Sequence, residues 1–580
     1  MDSEALLGDL MGLAATNSSR SKKAKDYPSK DEKKQAKFSR GLKTVGAGPA
    51  VVAKSRPVKK LTLRLTKRGM MVSLAALLDV LSMDQYDKLQ RALTHTYVSQ
   101  VGKKTLGKLT MRLFQIHTIT SPEGQIRRIF ACSRFCGIVR ILKEICTRYE
   151  LQITVLNEVS QGLPIPPERN VCNIKLTDNQ QLVIDYLMTN IFSEDRIRKG
   201  SSGCVFIMAT GDGKSYVSSY LIHKLRVKTL LVIPSESIMT GWMDLFAKYL
   251  PGLVIGQYYG KVKTDGDVVL GVINSLLGNE FVVNGKKIPW SDYFNRFGLV
   301  VYDEIHNYPT AGRQEIFWRG GCRRLFGMTA TPSERADAMD VIYTKHIGPL
   351  VHAPEIPGYN VREIEWKGEV KVIQYKGPPE HTERITGAMG TTQVSSMHKQ
   401  FCGDPYRNNL IIREILELQA AGMDVFCFSE HREYLEYLYA LLQEHNLSAA
   451  APELGIAEDQ NEKPKTIAGS VSKLMGGAGA AEHKMAHASQ ILLVTYAYAK
   501  EGISIVKMNG MIFTTPRKSK MRQIIGRILR RGGDPSIIRK IVDIVDVGTT
   551  LKSQYPMREA VYNEKKFAIK VVKVSWKELV

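Results

Sequence analysis

The sequence predicts an α/β protein: two tandem parallel-sheet domains behind a small α/β domain and a basic, disordered N-terminal tail. Three observations predict it. From 171 to 355, and again from 356 to 550, short apolar runs alternate with helical patterns. They are TLLVIP, DVVLGVI, GLVVYDE and RLFGMTA in the first block, then DVFCFS, QILLVTY and GMIFTT in the second. Runs of this length between helices read as strands buried on both faces of a parallel sheet. A proline-marked linker, GLPIPPERN at 162–170, sets the first block apart from what precedes it. Charge near the N-terminus is one-signed, with 17 Lys/Arg against 3 Asp/Glu between Arg20 and Arg68.

Composition bounds the function. The chain has 580 residues, 44% of them hydrophobic, and a net charge of +24. Such a balance favours a polyanionic partner, nucleic acid first and an anionic membrane surface second. No apolar run approaches the roughly 18 residues of a membrane span, and the first twenty residues lack a signal-peptide pattern. The expected protein is therefore intracellular and soluble. Eight cysteines are scattered. Cys132, Cys136 and Cys146 form the one near-cluster, and without a second close pair they read as buried structural thiols rather than a zinc site.

The elements follow in order. Residues 1–60 are too charged and too poor in large apolar residues to bury a core, and fit a phosphate-binding arm, a nuclear import signal or a solubilising tail. Residues 61–165 form the small domain. LTLRLT alternates as a strand, Leu74–Leu93 is helical, and KLTMRLFQIHT and IRRIFACS are strands joined by the turn Ser121-Pro122-Glu123-Gly124. A helix at 137–149 and the strand LQITVL complete it. Arg112, Arg127, Arg128, Arg134 and Arg140 recur there, facing either nucleic acid or solvent. The Gly-rich stretch between Ala449 and Gly479 reads as a loop insertion, and 551–580 as a C-terminal extension.

The first block opens on FIMATGDGKSYVSSYLIHKL, a strand, a glycine turn and a helix. Backbone N–H groups of such a turn hold phosphate oxygens at a helix N-terminus, a lysine neutralises the phosphates, and a hydroxyl binds Mg²⁺. Thr210, Gly211, Asp212, Gly213, Lys214 and Ser215 supply those parts. A phosphate loop requires an acidic strand end downstream. GLVVYDEIHNY provides Asp303 for the metal, together with Ser215, and Glu304 to activate the attacking water. His306 follows. Thr329-Ala330-Thr331 ends the next buried strand, where two hydroxyls can couple it to a neighbouring domain. In the second block MRQIIGRILRRGGD places Gln523, Arg527 and Arg530 on one helical face. Guanidiniums aimed across a cleft would stabilise a transferring phosphoryl group.

Ala-Thr-Gly-Asp-Gly-Lys-Ser, Asp-Glu-Ile-His, Thr-Ala-Thr and Gln-x-x-Gly-Arg-x-x-Arg, in this order, resemble motifs I, II, III and VI of superfamily 2 helicases, over about 171–550. The resemblance places further motifs. LTDNQQ makes Gln180 the adenine-reading glutamine. VIPSESIMTGW and GVINSLL resemble the backbone-touching motifs Ia and Ib, FCFSEHREYLEYL motif IV, and VTYAYAKEGISI motif V with Thr495, Glu501 and Gly502. Within the superfamily the chain looks most like UvsW-type and XPB-like DNA helicases, and CGDPYRNNLIIREIL also resembles the poxvirus-type helicase of transcript release. His306 and the missing Pro-Thr-Arg-Glu-Leu segment separate it from DEAD-box RNA helicases. Met208 departs from the usual Ala or Gly.

The resemblance implies two RecA-like domains with ATP and Mg²⁺ in the cleft between them, and His306 bridging to Gln523. It implies movement on forked, branched or single-stranded DNA. The competing readings are a viral transcript-release ATPase that needs RNA polymerase, and a motor subunit of a larger replication or transcription assembly. A viral member would work in the viral factory or the host cytoplasm. For residues 61–165 it implies a nucleic-acid or substrate-recognition role, against the simpler role of stiffening the first large domain.

Overall fold

The computed structural model describes residues 56–579, apart from 102–103, 121–123, 210, 311, 331–338, 340, 362–364, 388–391, 446–466, 477, 501–504 and 531–532. The expected tail lies outside the described residues as far as 55. The chain divides into two compact units. The first ends at Tyr359 and the second begins at Asn360, with the segments Ala209–Tyr216 and Ser235–Lys248 belonging to the second.

Seven strands open the first unit: β1 (Val58–Thr66), β2 (Gly69–Ser73), β3 (Thr94–Val101), β4 (Lys104–Arg112), β5 (Phe114–Thr120), β6 (Ile126–Cys132) and β7 (Glu150–Asn157). Five of them form a sheet in the order β5-β6-β2-β1-β7. β1 alternates as its sequence demands, with Leu61, Leu63 and Leu65 inward and Lys60, Thr62 and Arg64 outward. The inward leucines share a core with Leu77, Leu89 and Leu142 from three helices. The helical stretch Leu74–Leu93 comprises two helices, Leu74–Val80 and Met83–Ala92. Ser82 accepts from Gln85 N while the Gln85 side chain takes the Ser82 N–H, a capping box that starts a new helix at Met83. The expected single strand KLTMRLFQIHT also breaks. β4 pairs with β3 in a separate hairpin, β5 pairs with β6, and Leu113 sits buried between them. The helix expected at 137–149 spans Ile138–Ile145.

Ten strands build the larger domain of this unit: β8 (Gly203–Ile207), β9 (Thr229–Ile233), β10 (Ile255–Tyr259), β11 (Val262–Lys263), β12 (Val268–Val272), β13 (Glu280–Val283), β14 (Lys286–Pro289), β15 (Leu299–Tyr302), β16 (Arg324–Thr329) and β17 (Leu350–His352). Eight form one sheet in the order β11-β10-β12-β9-β15-β16-β8-β17, parallel except at β11. β8, β9 and β15 are buried along their whole length, which is why each reads as an unbroken apolar run. Met111 and Leu113 of the small domain lie in the same hydrophobic cluster as Val205, Tyr258 and Phe294. Arg134 adds a polar clamp, its guanidinium donating to the carbonyls of Gly200 (2.7 Å), Cys322 (2.7 Å) and Arg323 (3.1 Å).

In the second unit, β18 (Gly368–Lys376), β19 (Val425–Ser429), β20 (Ile467–Leu474), β21 (Ser489–Thr495), β22 (Gly510–Phe513), β23 (Arg539–Asp546) and β24 (Ala568–Ser575) form a parallel sheet in the order β20-β21-β19-β22-β23-β18-β24. Both edges depart from expectation. Residues 467–474, expected within a loop insertion, are edge strand β20. The extension expected at 551–580 contributes the helix Tyr555–Glu564 and the opposite edge strand β24. IAGSVSKL is too small and polar to announce a strand, and only its ladder to β21 makes it one.

Candidate functional site

Two segments carrying expected site residues leave the same end of the eight-stranded sheet, because β8, β15 and the β16 between them are parallel. After β8, Met208 is buried and its N–H reaches Thr329 O at 3.4 Å. Gly211 and Gly213 both have φ of +93°, a conformation that side-chain-bearing residues rarely adopt. These two glycines let the chain turn tightly before Lys214 opens the helix Lys214–Leu225. Asp212 N donates to Ala209 O at 3.3 Å, and Lys214 Nζ lies 3.4 Å from the same carbonyl. The lysine head is thus folded over its own turn. Thr210 lies outside the described residues.

β15 delivers Asp303 and Glu304. Asp303 N continues the ladder to Val232 O at 2.9 Å. The buried Tyr308 hydroxyl lies 2.6 Å from Asp303 O and 3.0 Å from Val232 O, pinning the strand end. Sequence reasoning missed Tyr308, since a tyrosine six residues past a strand carries no local signal. Glu304 has φ of +46°. That left-handed turn costs a non-glycine residue on the order of 1 kcal/mol and swings the chain into the short turn Ile305–Asn307. His306 is buried there. Its Nδ1 is 2.9 Å from the Thr329 hydroxyl and 3.2 Å from a Glu304 carboxylate oxygen. Thr329 ends β16 fully buried, so the contact joins two adjacent strand ends. Thr331 lies outside the described residues.

The donors suit the groups expected of them. Glycine amides and a lysine at a helix start fit phosphate oxygens, and a serine hydroxyl with a carboxylate is an all-oxygen set of the kind a hard divalent cation takes. Among the described residues no group of three or more His, Cys, Asp or Glu could hold a metal by itself.

Gln180 is buried at the first turn of the helix Asp178–Asn190. Its Oε1 accepts from Thr177 N at 3.0 Å in a capping box. A carboxamide oxygen has a second lone pair, so capping leaves acceptor capacity toward a base.

The arginine segment of the second unit corrects one expectation. The helix spans only Met521–Ile525. From there the bonds run three residues back: Arg527 N to Ile524 O, Ile528 N to Ile525 O and Leu529 N to Gly526 O. Gln523 therefore does not share one continuous helical face with Arg527 and Arg530. Arg527 is buried. Thr495 ends β21 and its hydroxyl accepts from Tyr498 N at 3.3 Å, while Glu501 and Gly502 lie outside the described residues. The CGDPYRNN stretch is architectural. Asp404 caps a helix, and Arg407 forms a buried bidentate pair with Asp546 at 2.7 and 3.1 Å. Among the described residues no helix is long and apolar enough to cross a membrane.

Residues 173–334 match the family model described as the res subunit of type III restriction enzymes. A protein of African swine fever virus, named as an ATP-dependent RNA helicase, is 30% identical over 380 residues, 62% of this chain and 68% of its own length. A similarly named protein of Acanthamoeba polyphaga mimivirus is 25% identical over 393 residues, 66% of this chain and 68% of its own. The DNA 3'-5' translocase XPB2 of Sulfurisphaera tokodaii is 26% identical over 210 residues, 36% of this chain and 42% of its own. Among solved structures, T4 UvsW matches 89% of this chain and all of its own at 15% identity, with a TM-score of 0.31. Dbp5 of S. cerevisiae matches 70% and 95% at 13% identity, with a TM-score of 0.42.

Proposed function

The chain belongs to superfamily 2 of the helicases, enzymes that hydrolyse ATP, and from that membership we propose that it is a motor moving along DNA, with forked or branched duplexes as its substrate. The observation that carries the reading is the order of strand ends in one sheet: β8 runs on into the glycine turn before Lys214, β15 runs on into Asp303 and Glu304, and the His306–Thr329 contact ties β15 to β16.

Each residue has a role in this reading. The turn amides from Gly211 to Ser215 bind the triphosphate oxygens, Lys214 neutralises them, and Gln180 reads the base. Ser215 and Asp303 would hold Mg²⁺, which would offset charge on the phosphates. Glu304, oriented through His306, takes the proton of the attacking water. Arg527 and Arg530 stabilise charge on the phosphoryl group. Thr329 and His306 relay the state of the Glu304 turn to β16. Motifs Ia, Ib, IV and V grip the sugar-phosphate backbone, which carries no base code, so sequence preference is weak.

The RNA-helicase names of the 30% identical viral relatives favour a second reading, in which the track is single-stranded RNA. The test is the ATPase rate with no nucleic acid, single-stranded DNA, forked DNA, a four-way junction and single-stranded RNA, with Glu304→Gln as control. Strong stimulation by branched DNA is the expected result. Stimulation by RNA alone moves the track to RNA. Stimulation by any DNA without strand separation favours a translocase of the transcript-release kind, and no response to any of them sinks the motor reading for the isolated chain.

A further inference from the structure

The segment carrying Arg527 and Arg530 has a mechanical weakness. Gly526 N still reaches Arg522 O at 2.9 Å, but from Arg527 to Leu529 the backbone bonds span three residues rather than the four of an α-helix. Ile528, between the two arginines, has its carbonyl taken by a side chain from elsewhere. Arg539 Nε donates to Ile528 O at 2.7 Å, and Arg539 Nη1 donates to Ile537 O at 2.7 Å.

Arg539 is suited to hold that segment still. It is the first residue of β23, a strand paired on both sides, to β18 and to β22. Its own N–H donates to Lys367 O at 2.8 Å. The guanidinium lies over the Trp366 ring, 4.4 Å from the centroid, and the residue is only 2% exposed. Gly533 leaves room for it: a Cβ there would stand 3.0 Å from Arg539 Nη2 and 3.2 Å from Arg530 O. A planar fork with fixed donors can meet two carbonyls while stacked on a ring. An ammonium on a flexible stem cannot reproduce that arrangement.

We propose that Arg539 is the positioning residue of the arginine segment, fixing the Ile528 carbonyl so that Arg527 and Arg530 are presented in one orientation. This rests on the placement of those two arginines at the phosphates proposed above. Arg539 itself touches neither substrate nor reacting atoms.

The test is a cycle of wild type, Arg527→Ala, Arg539→Met and the double variant. It reads kcat and KM for ATP with saturating forked DNA, or with whichever nucleic acid stimulates most, and nucleic-acid affinity alongside. The expected result is a kcat for Arg539→Met lower by on the order of tenfold or more, with KM within about twofold and binding unchanged. The double variant should then be no slower than Arg527→Ala, since residues acting as a unit are not additive. Arg539→Lys should rescue little of the loss. A wild-type kcat for Arg539→Met beside a slow Arg527→Ala overturns the positioning role alone. So does a double variant slowed by the product of the two single effects. A wild-type rate for Arg527→Ala overturns the arginine reading beneath it. Where Arg539→Met does not fold, Gly533→Ala serves, crowding the guanidinium by a few tenths of an ångström; kcat unchanged there, with the melting temperature also unchanged, would count against the proposal.

Discussion

Glu304 and Lys214 divide the proposed chemistry between a proton acceptor and a charge partner, and their variants should separate those roles. Lys214→Ala removes the cation at the head of the helix Lys214–Leu225. ATP turnover should be lost while nucleic-acid binding persists; measurable turnover in a coupled phosphate-release assay would count against the phosphate-loop role. Glu304→Gln keeps the shape and the left-handed turn but not the basicity. Turnover should fall by about two orders of magnitude or more, with ATP still bound in an equilibrium filter assay. Loss of ATP binding instead would recast Glu304 as a structural residue of its turn.

Buried polar groups decide stability at the scale of elements. Arg134, on the loop after β6, satisfies three carbonyls of the larger domain. Arg134→Met would leave those acceptors unpaired and should cost roughly 2–3 kcal/mol, read as a shift in the urea midpoint. His346 is buried against the Phe317 and Trp318 rings, and burial pushes its imidazole down to about 3. The unfolded chain takes up that proton near pH 6.5, so between those two values the unfolded state binds more protons than the folded one. Stability contributed by neutral His346 is therefore present above about pH 6.5 and is lost as pH falls toward 3. His346→Phe should flatten the decline in urea midpoint from pH 7 to 5; an unchanged slope would mean other groups carry it.

For the whole molecule the net charge of +24 sets the response to salt. With about six or more phosphates contacted, affinity should drop by roughly two to four orders of magnitude between low and moderate salt. Removing residues 1–60 should reduce the slope of log affinity against log salt, measured by fluorescence anisotropy, and an intact slope would make the tail a spectator. Deleting residues 61–165 would strip Met111 and Leu113 from the cluster they share with Val205 and Tyr258. The remainder should therefore expose apolar surface and aggregate, so a recognition role for that domain is better tested by surface substitutions than by truncation.

Read alone, the sequence determined what is local. A strand buried on both faces must be an unbroken apolar run, so β8, β9, β15, β19 and β21 announce themselves. A turn that needs φ of +93° twice must carry two glycines, so the Gly211–Ser215 segment was legible before any packing was known. The tertiary structure decided what depends on distant partners. β20 and β24 closing the second sheet, and Met111 with Leu113 serving another domain's core, both require contacts made by residues far away in the chain. The short helix at Met521–Ile525 and the grip of Arg539 on Ile528 belong to the same class. The geometry of the glycine turn is written in neighbouring dihedrals. The orientation of an arginine segment is written in a carbonyl and a guanidinium eleven residues apart, which no periodicity records.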